Sequence, residues 1–257
     1  MTGLHYEISG PPDAPVLVLG CSLGTTLQMW QPLLGQLGDR YRVVRYDHRG
    51  HGGSPVPPGP YTVEELGRDV LALLDSLDLD QVLYCGLSLG GMVGMWLAAH
   101  APHRVRRLAL LCTAAYLPPA EGWLTRAAQV RSAGTASIAE LVLARWFTAP
   151  YLAAHPDEVA AYRTMLAGAP SEGYAGCCEA IAKMDLRPVL PRIRAATLVV
   201  AGRADPAIPP VFGEQIAAAV PGARFAIVEG AAHLASVEQP AAVGLLLAGH
   251  LGGRGER

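Results

Sequence analysis

The sequence predicts an α/β fold in which a mostly parallel sheet is flanked by helices on both faces and carries an inserted helical cap. Two observations predict the layers. Apolar runs of strand length alternate with helical patterns over most of the chain, and 51% of its 257 residues are apolar against 16% charged, enough for one large core. A third predicts the cap: residues 117–190 break the alternation, with several helical patterns and no convincing strand. The expected organisation is a core of residues 1–116 and 191–257 with the cap at 117–190. The cap holds Trp123, Trp146, Phe147, Tyr151, Tyr162 and Tyr174. Packing of helix on sheet accounts for most of these aromatics, and the rest are candidates to line a pocket.

The strand candidates open at 5–9 and 16–19, either side of the turn Pro11-Pro12-Asp13, and continue at 41–46. Buried-strand runs follow at 82–85, 108–112, 198–201 and 225–228. Helices lie between them. One begins at Thr62, with Glu65 three residues on as the second half of a capping box, and runs to about Leu77 on apolar residues at 66, 70, 73, 74 and 77. Others are expected at 91–100, 210–219 and 240–250, and one is expected to start near Leu27.

Composition excludes several classes. A net charge of −2 argues against nucleic acid as a partner. Residues 1–10 lack the basic-then-apolar pattern of a signal peptide, and no run reaches the ~18 apolar residues of a membrane span, so no membrane partner is expected. The five cysteines form no spaced pattern. Cys85 and Cys112 fall in strand-like runs as buried thiols, and the adjacent Cys177 and Cys178 have no zinc-like spacing, which together fit a reducing cytoplasm. A homo-oligomer is left open.

Two pentapeptides read Gly-x-Ser-x-Gly: Gly20-Cys21-Ser22-Leu23-Gly24 and Gly86-Leu87-Ser88-Leu89-Gly90. A serine on a sharp strand-to-helix turn has its hydroxyl forced out of the backbone as a nucleophile. Ser88 has that context, with a strand before it and a helix of small residues (Gly90, Gly91, Gly94) after it. Ser22 is followed by Thr25 and Thr26, which reads as a loop with exposed amides. A serine needs a base. His233, in a small-residue loop past the last strand, is the candidate, whereas His5, His100, His103, His155 and His250 read as surface residues. Asp205, after the strand at 198–201, is the candidate acid, with Asp185 and Glu229 as competitors. The run Asp47-His48-Arg49-Gly50-His51-Gly52-Gly53-Ser54 offers two histidines and a carboxylate. Its glycines and the lack of further ligands indicate a tight turn rather than a metal site.

Together these pieces resemble an α/β-hydrolase over nearly the whole chain. Within that superfamily they resemble the 3-oxoadipate enol-lactonases, on Ser22-Leu23-Gly24-Thr25 with Met29-Trp30, Arg45-Tyr46-Asp47, the Ser88 pentapeptide, Arg145-Trp146-Phe147-Thr148, Cys178-Glu179-Ala180-Ile181 and Asp185-Leu186-Arg187. Those enzymes commonly carry Asn ahead of the residue matching Ser22, where this chain has Cys21. The resemblance implies hydrolysis of a small lactone by Ser88, His233 and Asp205, with the backbone N–H groups of Leu23 and Leu89 as the oxyanion hole and no metal or organic cofactor. The implied substrate carries a carboxylate, for which Arg145 and Trp146, with Ser22 nearby, are the candidate contacts. A carboxylesterase, a carbon–carbon bond hydrolase and a non-catalytic receptor on the same fold are the alternatives.

Overall fold

The computed structural model describes residues 3–252, so the outermost residues of the expected core range, 1–2 and 253–257, lie outside it. Seven strands form one sheet: β1 (Tyr6–Ser9), β2 (Val16–Gly20), β3 (Arg42–Tyr46), β4 (Val82–Leu87), β5 (Val105–Leu111), β6 (Ala196–Gly202) and β7 (Arg224–Val228), in the order β1-β3-β2-β4-β5-β6-β7. β1 pairs antiparallel with β3, and every other pairing is parallel. β4 is buried along its whole length, which explains why its sequence shows no alternation. β5 begins three residues before the apolar run at 108–112, because Val105 and Arg107 join the ladder, with the exposed Arg106 skipped at a shift of register between them.

The core helices are α1 (Gln31–Leu37), α2 (Val63–Ser76) and α3 (Leu89–His100). The segment 117–190 carries α4 (Ala120–Ala133), α5 (Ala139–Trp146), α6 (Ala149–Ala154), α7 (Pro156–Ala167) and α8 (Ser171–Lys183), and no strand. After β6 come α9 (Pro210–Ala219), the single turn α10 (Ala235–Glu238) and α11 (Pro240–Leu251). Thr62 and Glu65 make the reciprocal capping box: the Thr62 hydroxyl oxygen accepts the Glu65 amide in the first turn of α2, and the Glu65 carboxylate accepts the Thr62 amide. Near Leu27 the chain makes a 3₁₀ turn, Leu27–Trp30, and α1 follows it behind Pro32. Among the described residues no helix is long and apolar enough to cross a membrane.

One surface histidine of the sequence reading is misplaced. His250 is buried, with Nε2 2.9 Å from the Leu108 carbonyl and Nδ1 facing Arg224. It ends the inward face of α11, where a long helix turns a terminal residue into the core. All five cysteines are buried and free.

Candidate active site

The strand order reverses between β2 and β4, whose neighbours diverge to opposite sides, and the loops leaving their C-terminal ends open a crevice. The first loop begins at Cys21 and the second turn is Ser88 itself. Ser88 caps α3 with φ 56° and ψ −113°, a conformation an L-residue holds at a cost of about 1–3 kcal/mol. Neighbouring bonds hold it there: Ser88 N–H donates to Leu111 O at 2.9 Å, and its carbonyl accepts the Thr113 hydroxyl at 2.7 Å and Met92 N–H at 3.0 Å. Glycine is needed around it. A Cβ at Gly86 would sit 2.1 Å from Gly90 O, and one at Gly90 would sit 2.2 Å from Gly20 O.

His233 follows β7. Its Nδ1 lies 2.8 Å from Asp205 Oδ2, and both side chains are nearly sealed from solvent. The other oxygen, Asp205 Oδ1, accepts the amides of Ala207 and Ile208, which fixes the carboxylate and hence the imidazole tautomer with its proton on Nδ1. Nε2 is thereby left as the basic nitrogen. His233 and Ser88 line one pocket, and among the described residues no hydrogen bond joins their side chains directly. The competing acids lie elsewhere: Asp185 pairs with Arg187, and Glu229 with Arg203.

The loop after β2 presents one amide. Ser22 N–H points at Met29 Sδ, Gly24 N–H donates to His51 Nε2 at 3.0 Å, Thr25 N–H donates to Ser22 O, and Thr26 N–H points at Met165 Sδ. Among the described residues Leu23 N–H has no acceptor. Leu89, the first residue of α3, likewise has no carbonyl a turn earlier in the helix to accept its N–H. Leu23 and Ser22 border the pocket that Ser88 enters.

The histidines of the run at 47–54 brace this loop. His48 Nε2–H donates to Cys21 O at 3.0 Å, and that carbonyl also accepts Gly90 N–H at 2.9 Å. Burial lowers the His48 pKa to about 3, with His51 adding to the effect, and burial lowers His51 too, so both rings are neutral and His51 Nε2 can accept. Asp47 accepts the amides of Leu27 and Gly53. No cluster among the described residues is suited to a metal. Cys21 turns its thiol away from the pocket, 3.2 Å from Tyr46 O, so the residue in the family's Asn position acts here through its backbone carbonyl.

The cap closes the pocket, which encloses about 510 Å³ including its mouth. Trp123, Trp146 and Tyr174 line it, whereas Phe147 stacks on Tyr151 and meets Tyr162 edge-on, outside the pocket lining. Arg145 lines it, and so does Arg126, which the sequence did not mark out because α4 shows no clear amphipathic stripe. Arg126 lies over the Trp123 ring at 4.8 Å. Burial, and then the Arg126 charge, lower the pKa of Arg145. No carboxylate of the described residues pairs with either guanidinium. The pocket therefore brings a serine and a histidine together with two partly buried guanidinium groups.

A model of the alpha/beta hydrolase fold matches residues 14–240. The chain is 42% identical over 239 residues to 3-oxoadipate enol-lactonase 2 of Acinetobacter baylyi, covering 93% of this chain and 89% of that one. The crystal structure of the enol-lactonase from Burkholderia xenovorans superposes with a TM-score of 0.94 at 43% identity, covering 96% of each chain. A thermophilic esterase of Thermogutta terrifontis, solved with malate bound, superposes at 0.89 with 31% identity, covering 96% of this chain and 92% of its own.

Proposed function

The chain belongs to the alpha/beta hydrolase family and, within it, groups with the 3-oxoadipate enol-lactonases; from that premise we propose that it hydrolyses 3-oxoadipate enol-lactone to 3-oxoadipate in aromatic catabolism. The observation that carries the substrate class is the pair Arg126 and Arg145, two cations that no carboxylate of the described residues pairs with, in the same pocket as Ser88 and His233. A neutral ester has no use for them, whereas the free carboxylate of the lactone does.

In the proposed reaction Ser88 Oγ attacks the lactone carbonyl while His233 Nε2 takes its proton and Asp205 holds the imidazole and stabilises its cation. The carbonyl oxygen becomes an oxyanion held by the N–H groups of Leu23 and Leu89, each such donor contributing roughly 3 kcal/mol in the transition state. Collapse of the tetrahedral intermediate re-forms the carbonyl and expels the ring oxygen as an enolate. His233 returns its proton to this leaving group, which becomes a ketone. Water, deprotonated by His233, then attacks the acyl-Ser88 ester; collapse breaks the bond to Ser88 Oγ, which takes the proton back from His233, and releases the second carboxylate. These steps draw on protein groups and water alone. A cytoplasmic site of action belongs to the same reading and is supported by the five free thiols.

A carboxylesterase is the second reading, favoured by the resemblance to the Thermogutta esterase. The deciding experiment compares kcat/KM for the enol-lactone, generated in situ from muconolactone, with that for p-nitrophenyl acetate. The proposal expects the lactone to win clearly; parity would overturn it. Absence of turnover on either substrate would leave the receptor reading.

A further inference from the structure

A buried carboxylate that the reaction above does not use sits beside the base. Glu238, on the single turn α10, is 7% exposed, and no Lys, Arg or His among the described residues pairs with it. Its two oxygens face different parts of the molecule. Oε1 accepts both the amide and the hydroxyl of Thr148, each at 2.8 Å. Oε2 accepts the amide of Ala232 at 2.5 Å. Thr148 is three residues beyond Arg145 in the cap, and Ala232 is the residue before His233.

A second bond repeats the connection on the other side of the histidine. Leu234 N–H donates to Trp146 O at 3.0 Å. The residues on both sides of His233 are thus tied to the cap segment 146–148, which continues directly from the pocket-lining Arg145. A carboxylate buried without a cation is costly, and three N–H and O–H donors converging on it offset that cost only while both partners stay in place. An apolar side chain of similar size would fill the space without joining the two segments. Thr148 itself does not line the pocket; it borders a separate groove at the seam of cap and core, with Phe147, Ala204 and Gln239.

We propose that Glu238 is a positioning residue that couples the cap segment 145–148 to the loop carrying His233, so that the pocket's cationic wall and its base are held as one unit. The proposal rests on the serine-hydrolase reading of the site. A shift of His233 by a fraction of an ångström relative to Ser88 is enough to slow the chemical step.

The test uses Glu238→Gln, Thr148→Ala and the double variant of the full chain, assayed on p-nitrophenyl acetate, which needs no cationic wall. Rates are normalised to active sites titrated with a fluorophosphonate, so that misfolded protein does not count. The glutamine amide sets an N–H₂ against one of the existing donors and breaks one side of the link; Thr148→Ala removes the hydroxyl bond from the cap side. Each single variant is expected to lower kcat about tenfold or more with KM changed less than about threefold, and the double variant to be no slower than Glu238→Gln alone. A merely structural role would lower the melting temperature and leave kcat per titrated site within about twofold; that result, or additive losses in the double variant, would overturn the proposal. If Glu238→Gln does not fold, Thr148→Ala decides alone by the same kcat criterion. Failure of the substrate reading shows separately, as parity of lactone and ester in the wild type, and leaves this comparison intact.

Discussion

Gly20 and Gly86, the first residues of the two Gly-x-Ser-x-Gly pentapeptides, are register partners on the adjacent parallel strands β2 and β4. Two stretches 66 positions apart in sequence therefore leave the sheet side by side. Gly90 N–H donating to Cys21 O closes the arrangement, placing Ser88 opposite Leu23. The contact is backbone against backbone, so neither side can yield by changing a rotamer.

Gly90→Ala is accordingly expected to be severe. Its Cβ would stand 2.2 Å from Gly20 O, a clash expected to cost about 3 kcal/mol or more and to lower the melting temperature by at least about 6 °C, or to prevent soluble expression. Gly35→Ala, in α1 with nothing within 4 Å of the new methyl, is the control and should be neutral or mildly stabilising. Equal melting temperatures for the two variants would contradict the packing account.

Asp205→Asn is expected to lower kcat by about 10⁴-fold with little loss of stability. The amide oxygen can still accept from Ala207 and Ile208, which points the N–H₂ at His233 Nδ1 and favours the tautomer that protonates Nε2. Steady-state kinetics beside a thermal melt would check this, and a loss below tenfold would remove Asp205 from the mechanism.

Arg126→Ala and Arg145→Ala are each expected to raise KM for the enol-lactone by roughly 10- to 100-fold, the range of a lost charge-assisted hydrogen bond, while KM for p-nitrophenyl acetate stays within about threefold. Equal effects on both substrates would mean that the arginines shape the cap rather than read a carboxylate.

Acid should weaken the fold partly through His48. Its pKa is lowered by burial from 6.5 to about 3, so between those values the unfolded chain holds a proton that the folded chain refuses. Stability is complete above about pH 6.5 and declines as pH falls towards 3, by up to about 1.4 kcal/mol per pH unit from this group. Burial also lowers His51 and His250, which act in the same direction. His48→Gln, whose amide can still donate to Cys21 O, should show a shallower decline in denaturant unfolding free energy between pH 7 and pH 5. Identical slopes would show that His48 does not contribute.

The strand–helix alternation and the burial of β4 were legible because they depend on local periodicity and apolar content. So were the capping box at Thr62 and the glycines around Ser88. Arg126, Glu238 and His250 were not legible. Arg126 sits on a helix without a clear stripe, and its role comes from meeting Arg145 in one pocket. Glu238 has no motif in its neighbourhood, because two of its three donors are the backbone amides of Ala232 and Thr148, and the third, the Thr148 hydroxyl, lies 90 positions away. His48 and His51 stood out as a pair, but their chemistry was visible only when their acceptor and donor on the loop after β2 were in place.

What the sequence determined by itself was the order of layers; it also narrowed the candidates to Ser88, Asp205 and His233, since the Ser88 turn carries its own strand, glycines and helix, and the other two follow strands in a recognisable order. What only the tertiary structure decided was which atoms meet: Asp205 Oδ2 with His233 Nδ1, Leu23 N–H left without an acceptor among the described residues, and two arginines brought to the pocket from different cap helices. The physical reason is range. Helix, strand and turn preferences act over a few residues, whereas hydrogen-bond partners and desolvated charges are chosen by packing between segments tens to more than a hundred positions apart.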